Sequence, residues 1–269
     1  MILRRVSTLG RRESHARISP TTTIKLRFES CILRKEKMVA FLKHLYCCFP
    51  RPPSTNYNLR QLAHNPYSLL RTGAIVVDLG GKNARGRYAA FGTSGENCRI
   101  LTLDIEPTNG VDLVGDAHSL PLRNHSVDGI FCVSVLEYVH HPQQVVDEIH
   151  RVLKPGGLLY LNVPFVFRYH PEPEDLYRFS MNGLKVLCSS FEAIQLGYNR
   201  GPASTMADLL VHFCAILFCF NNRRAYNILV DIFQWCLFWL KYLDYVIGRY
   251  HTAHIISSGV FFFGREPTK

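Results

Sequence analysis

No two of the nine cysteines in this 269-residue chain have the C-x-x-C spacing of common zinc sites and redox motifs. An odd number of scattered thiols also argues against a disulfide framework, so we expect an intracellular, reducing location, with the cytoplasm favoured. Adjacent His140 and His141 do not make a metal site either, because neighbouring side chains point apart and no acid or cysteine lies at ligand spacing. We therefore expect no bound metal ion.

Long apolar runs are missing as well. Residues 1–37 are rich in Arg, Ser and Thr but contain no continuous hydrophobic segment, which excludes a secretory signal and is typical of a mitochondrial transit peptide. A disordered basic tail and a leader absent from the working protein are the alternatives. Further along, the longest charge-free run of the apolar hairpin 205–247 covers the 14 residues 209–222. This is short of the ~20 residues that a membrane-spanning helix needs.

Acidic residues are few, 21 against 31 Lys and Arg, and the net charge is +10. Such an excess raises the question of nucleic-acid binding, but residues 1–37 alone contribute +7. Residues 38–269 carry only +3, which is an ordinary mixed surface. We therefore expect no nucleic-acid partner.

The G-x-G-x-x-G fingerprint is also absent, which disfavours a nicotinamide oxidoreductase. Present instead are predicted strands that end in acids. Residues 75–77 suit a strand buried on both faces, and Asp78, Gly80 and Gly81 follow in a tight turn. Two further predicted strands also end in acids, Asp104 and Asp116. Ligands of open α/β sheets bind at the carboxyl ends of the strands, where glycine allows close approach.

Together, these segments resemble the class I S-adenosylmethionine-dependent methyltransferases, most closely the small-molecule, type 11-like branch. The matching segments are 77–80, Asp104, 115–121, 126–130 and 151–157, and the match spans residues 74–197. The resemblance implies an α/β fold, a Rossmann-like sheet of seven mostly parallel strands with an antiparallel last strand and helices on both faces. It also implies S-adenosyl-L-methionine as the cofactor.

The resemblance assigns roles to individual residues. Asp104 would accept hydrogen bonds from the ribose hydroxyls, Asp116 and the backbone of Ala117 would bind adenine, and Ser134 would lie beside the methionine part. The full set of predicted cofactor-binding residues is Asp78, Gly80, Gly81, Asp104, Asp116, Ala117 and Ser134.

The glycine turn departs from the family pattern D-x-G-x-G-x-G, because Lys82 and Ala84 stand where the family has glycines. Lys82 either reaches the cofactor carboxylate or projects into solvent. Two functions stay open on this point. One is methyl transfer to a small-molecule or lipid-linked acceptor, and the other is a non-catalytic, methyltransferase-like binding or membrane-associated module.

A helix is predicted after the fourth strand, residues 129–134. Pro142 suits its first turn, and the spacing of Val145, Val146, Ile149, Val152 and Leu153 gives one apolar stripe. We expect Gly156 and Gly157 to end this helix.

After the fifth strand, residues 164–180 crowd aromatic, proline and titratable residues into one loop at the carboxyl end of a central strand. The candidate general bases are His170 and Asp175. Tyr169, Tyr177 and Arg178 are the candidates for orienting the acceptor. The alternative is a polar lid held together by its own ion pairs.

The predicted organisation is a basic leader 1–37, a helical lead-in 38–73, the methyltransferase core 74–198, an apolar helical insertion 199–254, and a last strand and tail 255–269. Within the insertion, Thr205 and Asp208 resemble a capping box that begins one helix, and a second helix covers 225–247. This hairpin, 205–247, suits a membrane interface, a cover for a greasy substrate, a dimer surface or plain packing. The oligomeric state stays open, and mitochondrial or membrane-peripheral locations are alternatives to the cytoplasm.

Overall fold

The computed structural model describes residues 69–81, 98–171 and 174–268. The leader, nearly all of the lead-in, Lys82 and Ala84 lie outside these residues, so the predictions made for them stay predictions. The elements and contacts below belong to the described residues.

Seven strands form one mixed sheet. They are β1 Ala74–Leu79, β2 Cys98–Asp104, β3 Leu113–Val114, β4 Val127–Val133, β5 Leu153–Pro164, β6 Glu192–Tyr198 and β7 Gly259–Arg265. Their order is β3-β2-β1-β4-β5-β7-β6. Strands β1 to β5 are parallel, and β7 runs antiparallel to both of its neighbours. This arrangement confirms the predicted fold class.

Strand β1 is buried on both faces, which explains its run of β-branched residues. Val77 and Leu79 belong to the larger core, together with Ile130 of β4. Val76 points to the opposite face, where it packs with Phe131.

Helix α1, Pro142–Val152, covers the larger core through Val145, Val146 and Ile149, each of them fully buried. The apolar stripe is thereby confirmed. The predicted end of the helix was wrong, because α1 stops at Val152 and β5 begins at once. Gly156, at φ 79°, lies instead in an irregular stretch of β5 opposite the start of β4.

The motif residues of 126–130 and 151–157 tie neighbouring elements together. Asp128 accepts a hydrogen bond from Lys154 Nζ at 2.9 Å and from the backbone N–H of Ile75 at 3.0 Å. Arg151 donates to the carbonyl of Leu120 at 3.0 Å. These contacts join β1, β4, β5 and the loop after β3, so these motif residues stabilise the fold.

Six further helical segments, with the insertion between β6 and β7 as predicted, follow β5. They are α2 Met181–Leu187, α3 Pro202–Phe218, α4 Arg223–Leu237, a 3-10 turn Phe238–Leu243, α5 Asp244–Ile247 and a 3-10 turn Ala253–Ile256.

The predicted capping box of α3 was wrong, because the helix begins at Pro202 and Thr205 lies inside its first turn. The cap comes from Asp244, whose carboxylate accepts from the backbone N–H groups of Ala203 and Ser204 at 2.8 Å each. Gly201 leaves room for it, since a Cβ there would lie 2.3 Å from Asp244.

The Asp244 cap also explains why the second helix of the insertion differs from the prediction. A single helix over 225–247 was expected, but α4 ends at Leu237 and the chain tightens into a 3-10 turn. The break brings the fully buried Asp244 to the start of α3.

Candidate functional site

The carboxyl ends of five parallel strands lie along one edge of the sheet. Leu79 at the end of β1 is in register with Leu103 of β2 and Cys132 of β4. Asp104 is in register with Val114 of β3. The sheet therefore places Asp78, Asp104 and Asp116 at the same edge, as expected from the sequence.

The turn after β1 requires glycine. Gly80 has φ 71°, and a Cβ at this position would lie 2.6 Å from Cγ2 of Val135. A Cβ at Gly81 would lie 2.6 Å from Oδ2 of the buried Asp78. The Gly80 N–H donates to the carbonyl of Leu103 at 2.8 Å, which fixes the turn against β2. Glycine is therefore needed here because Val135 and Asp78 occupy the space that a side chain would take.

Asp104 and Asp116 both shape the backbone around them. Oδ1 of the buried Asp104 accepts from the Glu106 N–H at 3.0 Å. Oδ1 of Asp116 accepts from the N–H of His118 at 2.9 Å and lies 2.7 Å from its ring Nδ1. The hydrogen bond from the His118 backbone holds the pKa of Asp116 below its usual value. The neighbouring Ala117 packs against the larger core.

The turn after β4 contains a buried acid that the sequence analysis did not single out. Glu137 is 1% exposed and receives a hydrogen bond from the Ser134 side chain. Within the described residues its Oε2 atom has no hydrogen-bond partner, and burial raises its pKa to about 7. Ser134 has a left-handed backbone at φ 57°. The Ser134-x-x-Glu137 spacing, which is that of a capping box, was the available signal.

In the loop after β5, Asp175 and Arg178 form an ion pair. The Asp175 side chain is 1% exposed, and its Oδ2 accepts from Arg178 Nη2 at 2.6 Å and from the His170 N–H at 2.7 Å. Hydrogen bonding to Arg178 lowers the pKa of Asp175 to about 2. Arg178 also donates to three carbonyl oxygens, those of Phe167, Arg168 and Tyr177.

A guanidinium has five N–H donors, and these contacts occupy all five of Arg178. The geometry therefore favours the second interpretation of this loop, a lid held together by its own ion pair. The roles of Asp175 as a base and of Arg178 as an orienting residue stay predictions.

The remaining candidates lie on the other side of the loop. The hydroxyl of Tyr138 lies 2.8 Å from Nε2 and 3.1 Å from Nδ1 of the half-buried His170. Tyr177 donates to the carbonyl of His140 at 3.0 Å, and Tyr169 is 73% exposed. The carbonyl of Glu137 accepts from the Tyr177 N–H at 3.2 Å, so the loop closes onto the turn after β4.

Comparison with known proteins gives a family match over the edge just described. Residues 72–161, which run from the start of β1 into β5, match the family model described as a methyltransferase domain. Over this third of the chain the protein is similar to S-adenosylmethionine-dependent methyltransferases. The domain contains the glycine turn, all three edge acids and the Ser134 turn.

Two curated relatives match over part of their length. The chloroplastic 2-methyl-6-phytyl-1,4-hydroquinone methyltransferase 1 of Oryza sativa subsp. japonica is 30% identical over 141 residues, 46% of this chain and 41% of that protein. Malonyl-[acyl-carrier protein] O-methyltransferase 1 of Coxiella burnetii is 47% identical over 47 residues, 18% of this chain and 17% of that protein. The chain thus spans less than half the length of these relatives.

Solved structures of similar fold include two with low sequence identity. The [4+2]-cyclase SpnF is 18% identical, with a TM-score of 0.48 and coverage of 76% of this chain and 80% of that chain. The Haemonchus contortus phosphoethanolamine N-methyltransferase 2 in complex with S-adenosyl-L-methionine is 16% identical, with a TM-score of 0.47 and coverage of 74% and 50%.

A polar and aromatic cluster joins the loop 164–180 to the insertion. The guanidinium groups of Arg168 and Arg200 lie 5.3 and 6.0 Å from the ring centre of Phe167. Arg168 is also 3.7 Å from Asp208 of α3. Burial lowers the pKa of Arg200. The loop over the site is therefore attached to the insertion as well as to the sheet.

None of the helices in the described residues combines the length and the apolarity that crossing a bilayer requires. Within the same residues, no three His, Cys, Asp or Glu side chains converge as metal ligands would. The expected absence of a metal ion stays a prediction, as does the location in the cell.

Proposed function

We propose that this chain transfers a methyl group from S-adenosyl-L-methionine to a small-molecule or lipid-linked acceptor. The observation that carries the proposal is the turn after β1. Gly80 and Gly81 let the chain turn tightly against Val135 and Asp78 at the strand edge, and Asp104 and Asp116 follow β2 and β3 at the same edge. This donor and acceptor set fits an adenosyl group, because carboxylates accept hydrogen bonds from ribose hydroxyls and from the adenine amine.

When bound, the cofactor supplies a sulfonium whose methyl carbon is already activated. The protein then has to align the acceptor and exclude water. The self-held loop 164–180 suits both tasks, since its ion pair and its contacts with the Glu137 turn keep it in one arrangement. Its shape would therefore position the acceptor.

An acceptor hydroxyl would also need a base. His170 suits this role, because its ring contacts the Tyr138 hydroxyl and its side chain is only half-buried. An apolar acceptor is supported by the name of the rice relative, which acts on a phytyl hydroquinone, and by the apolar insertion attached to the loop.

Titration calorimetry with S-adenosylhomocysteine tests the cofactor part of the proposal. We expect saturable binding, and we expect Asp104→Ala to weaken it by about 1.5–3 kcal/mol, because a hydrogen bond to a charged group is lost. The matched control is Asp147→Ala, since Asp147 is exposed on α1 and accepts a hydrogen bond from Gln143 of its own helix. Equal loss in both variants would contradict the assignment of Asp104.

The result also decides between the two functions left open by the sequence. Folded protein that releases no heat at millimolar ligand would refute the methyltransferase proposal and favour the non-catalytic, binding or membrane-associated module.

A further inference from the structure

The insertion exposes a continuous apolar surface, most of it on one helix and one turn. Helix α4 has no buried residue, and its exposed stripe consists of Ile228, Ile232 and Trp235. These three recur at helical spacing, so they lie along one side of α4. Trp239 follows in the 3-10 turn, and the four side chains are 39–52% exposed. The stripe continues into exposed aromatic and aliphatic side chains, Tyr242, Leu243, Tyr245, Val246 and Tyr250. We call the stripe and its continuation the hairpin surface.

The turn between α3 and α4 extends this surface. Phe220 is 90% exposed and has a left-handed backbone at φ 45°. Such a conformation is uncommon for a bulky residue and costs energy. Just before the turn, Phe213, Ile216 and Leu217 of α3 are 58–63% exposed. The tip of the insertion thus holds a large ring in solvent at a conformational cost.

Cations surround the hairpin surface. Arg223 and Arg224 begin α4 and are exposed, and Arg249 follows α5, with its guanidinium 4.8 Å from the ring centre of Tyr245. Lys241 lies 5.1 Å from the ring centre of Tyr242. Over the same residues the acids are Asp231 and the fully buried Asp244. The border of the surface is therefore positive.

We propose that the hairpin surface docks on an anionic lipid bilayer, with the helices lying in the interface. Exposed aromatic residues bordered by Arg and Lys are the composition of interfacial helices, and the positive border complements anionic lipid head groups. An apolar surface of this extent is larger than single scattered residues and marks an interaction site. The proposal does not rest on the proposed function.

Charge argues against the other occupants. A second copy of the chain would bring the same cations to the same border. The leader 1–37 carries a net charge of +7 and would also meet like charges there. An anionic membrane complements both basic regions at once.

The first experiment uses the tryptophans of the full-length chain. Trp235 and Trp239 are its only two, and both belong to the hairpin surface. We expect a blue shift of tryptophan emission with phosphatidylcholine vesicles that contain phosphatidylserine, quenching by brominated acyl chains, and weakening in high salt. Emission unchanged by such vesicles at high lipid concentration would overturn the proposal. So would a blue shift that follows protein concentration without vesicles, because that would indicate an interface between copies.

The second experiment changes the surface and leaves both tryptophans in place. Ile228→Asn with Ile232→Asn should weaken vesicle partitioning by at least about tenfold in sedimentation, since both residues lose apolar contact with lipid. The matched control is Val186→Asn on α2, where Val186 is 72% exposed. Circular dichroism melting checks that the variants are folded. Partitioning that is equal in the double variant and the control would overturn the proposal.

The charged border has its own pair of variants. Arg223→Gln with Arg224→Gln should weaken partitioning on vesicles with phosphatidylserine and leave the weaker partitioning on pure phosphatidylcholine unchanged. Lys185→Gln on α2 is the control and should change neither. An equal effect on both vesicle types would contradict the role of charge in docking.

Discussion

The two sides of the candidate site are built in different ways. On the side of β1 to β3, a tight glycine turn and single acids lie at the sheet edge. On the side of β5, the charged groups of the loop bind one another, because all five N–H groups of Arg178 donate to atoms of the same loop. The first side suits recognition of one fixed ligand. The second suits selection of an acceptor by shape, with charge reserved for holding the loop.

The largest effect should come from breaking the loop's ion pair. Arg178→Ala would leave the Asp175 carboxylate buried without its charged partner and would free three carbonyl oxygens. We expect a loss of roughly 3–5 kcal/mol in the free energy of unfolding, measured with urea. Lys185→Ala, on the exposed side of α2, is the control and should cost less than about 0.5 kcal/mol. A loss below about 1 kcal/mol for Arg178→Ala would mean that the loop is held by other contacts.

The buried acid beneath the loop gives a pH-dependent test. Because the pKa of Glu137 is raised to about 7 in the folded protein, the folded state keeps this proton after the unfolded chain has released it. Glu137 costs no stability below the usual glutamate pKa of about 4.5. The free energy of unfolding then falls as the pH rises from about 4.5 to about 7, by roughly 3 kcal/mol in total, and is level above that.

The Glu137→Gln variant should not show this loss, because glutamine does not titrate. The measurement compares urea unfolding at pH 5 and pH 8.5 for both proteins. Glu192→Gln is the control, since Glu192 is an exposed acid of β6 and its substitution should leave the pH dependence unchanged. Equal pH dependence in the wild type and in Glu137→Gln would contradict the assignment.

The smallest expected change concerns the glycine turn. Gly80→Ala places a Cβ against Val135 and keeps a left-handed backbone, so S-adenosylhomocysteine binding should weaken about tenfold or more, with a stability cost of about 1–2 kcal/mol. Gly110→Ala separates the effect of crowding from the effect of the left-handed backbone. Gly110 has φ 95° but open space around its Cβ position. Gly110→Ala should therefore lose only the stability that a left-handed backbone costs an alanine. If both variants bind the ligand equally well, the crowding at Gly80 has no part in the site.

The sequence predicted the parts of the site that depend on local pattern. Asp78, Asp104 and Asp116 each follow an apolar run, and strands of a parallel sheet bring such residues to one edge. The α1 stripe was predictable for the same reason, since its spacing alone decides which side faces the core.

What the sequence did not predict depends on contacts between distant residues. The burial of Glu137 needs the loop after β5 to close onto its turn, and no local pattern records that closure. Likewise, Asp244 caps α3 from the far end of the insertion. This contact explains why the predictions of a capping box and of one long second helix were both wrong. Long-range hydrogen bonds outweighed local helix signals in both places.

The position of β7 bears on how the protein reaches this fold. Strand β7 fills the gap between β5 and β6, although the whole insertion separates it in sequence from β6. During synthesis the β6 side of the sheet must therefore wait for a late segment, with the backbone edges of β5 and β6 unpaired in the meantime. Folding of this chain should be slow for its size and should benefit from chaperones that shield sheet edges.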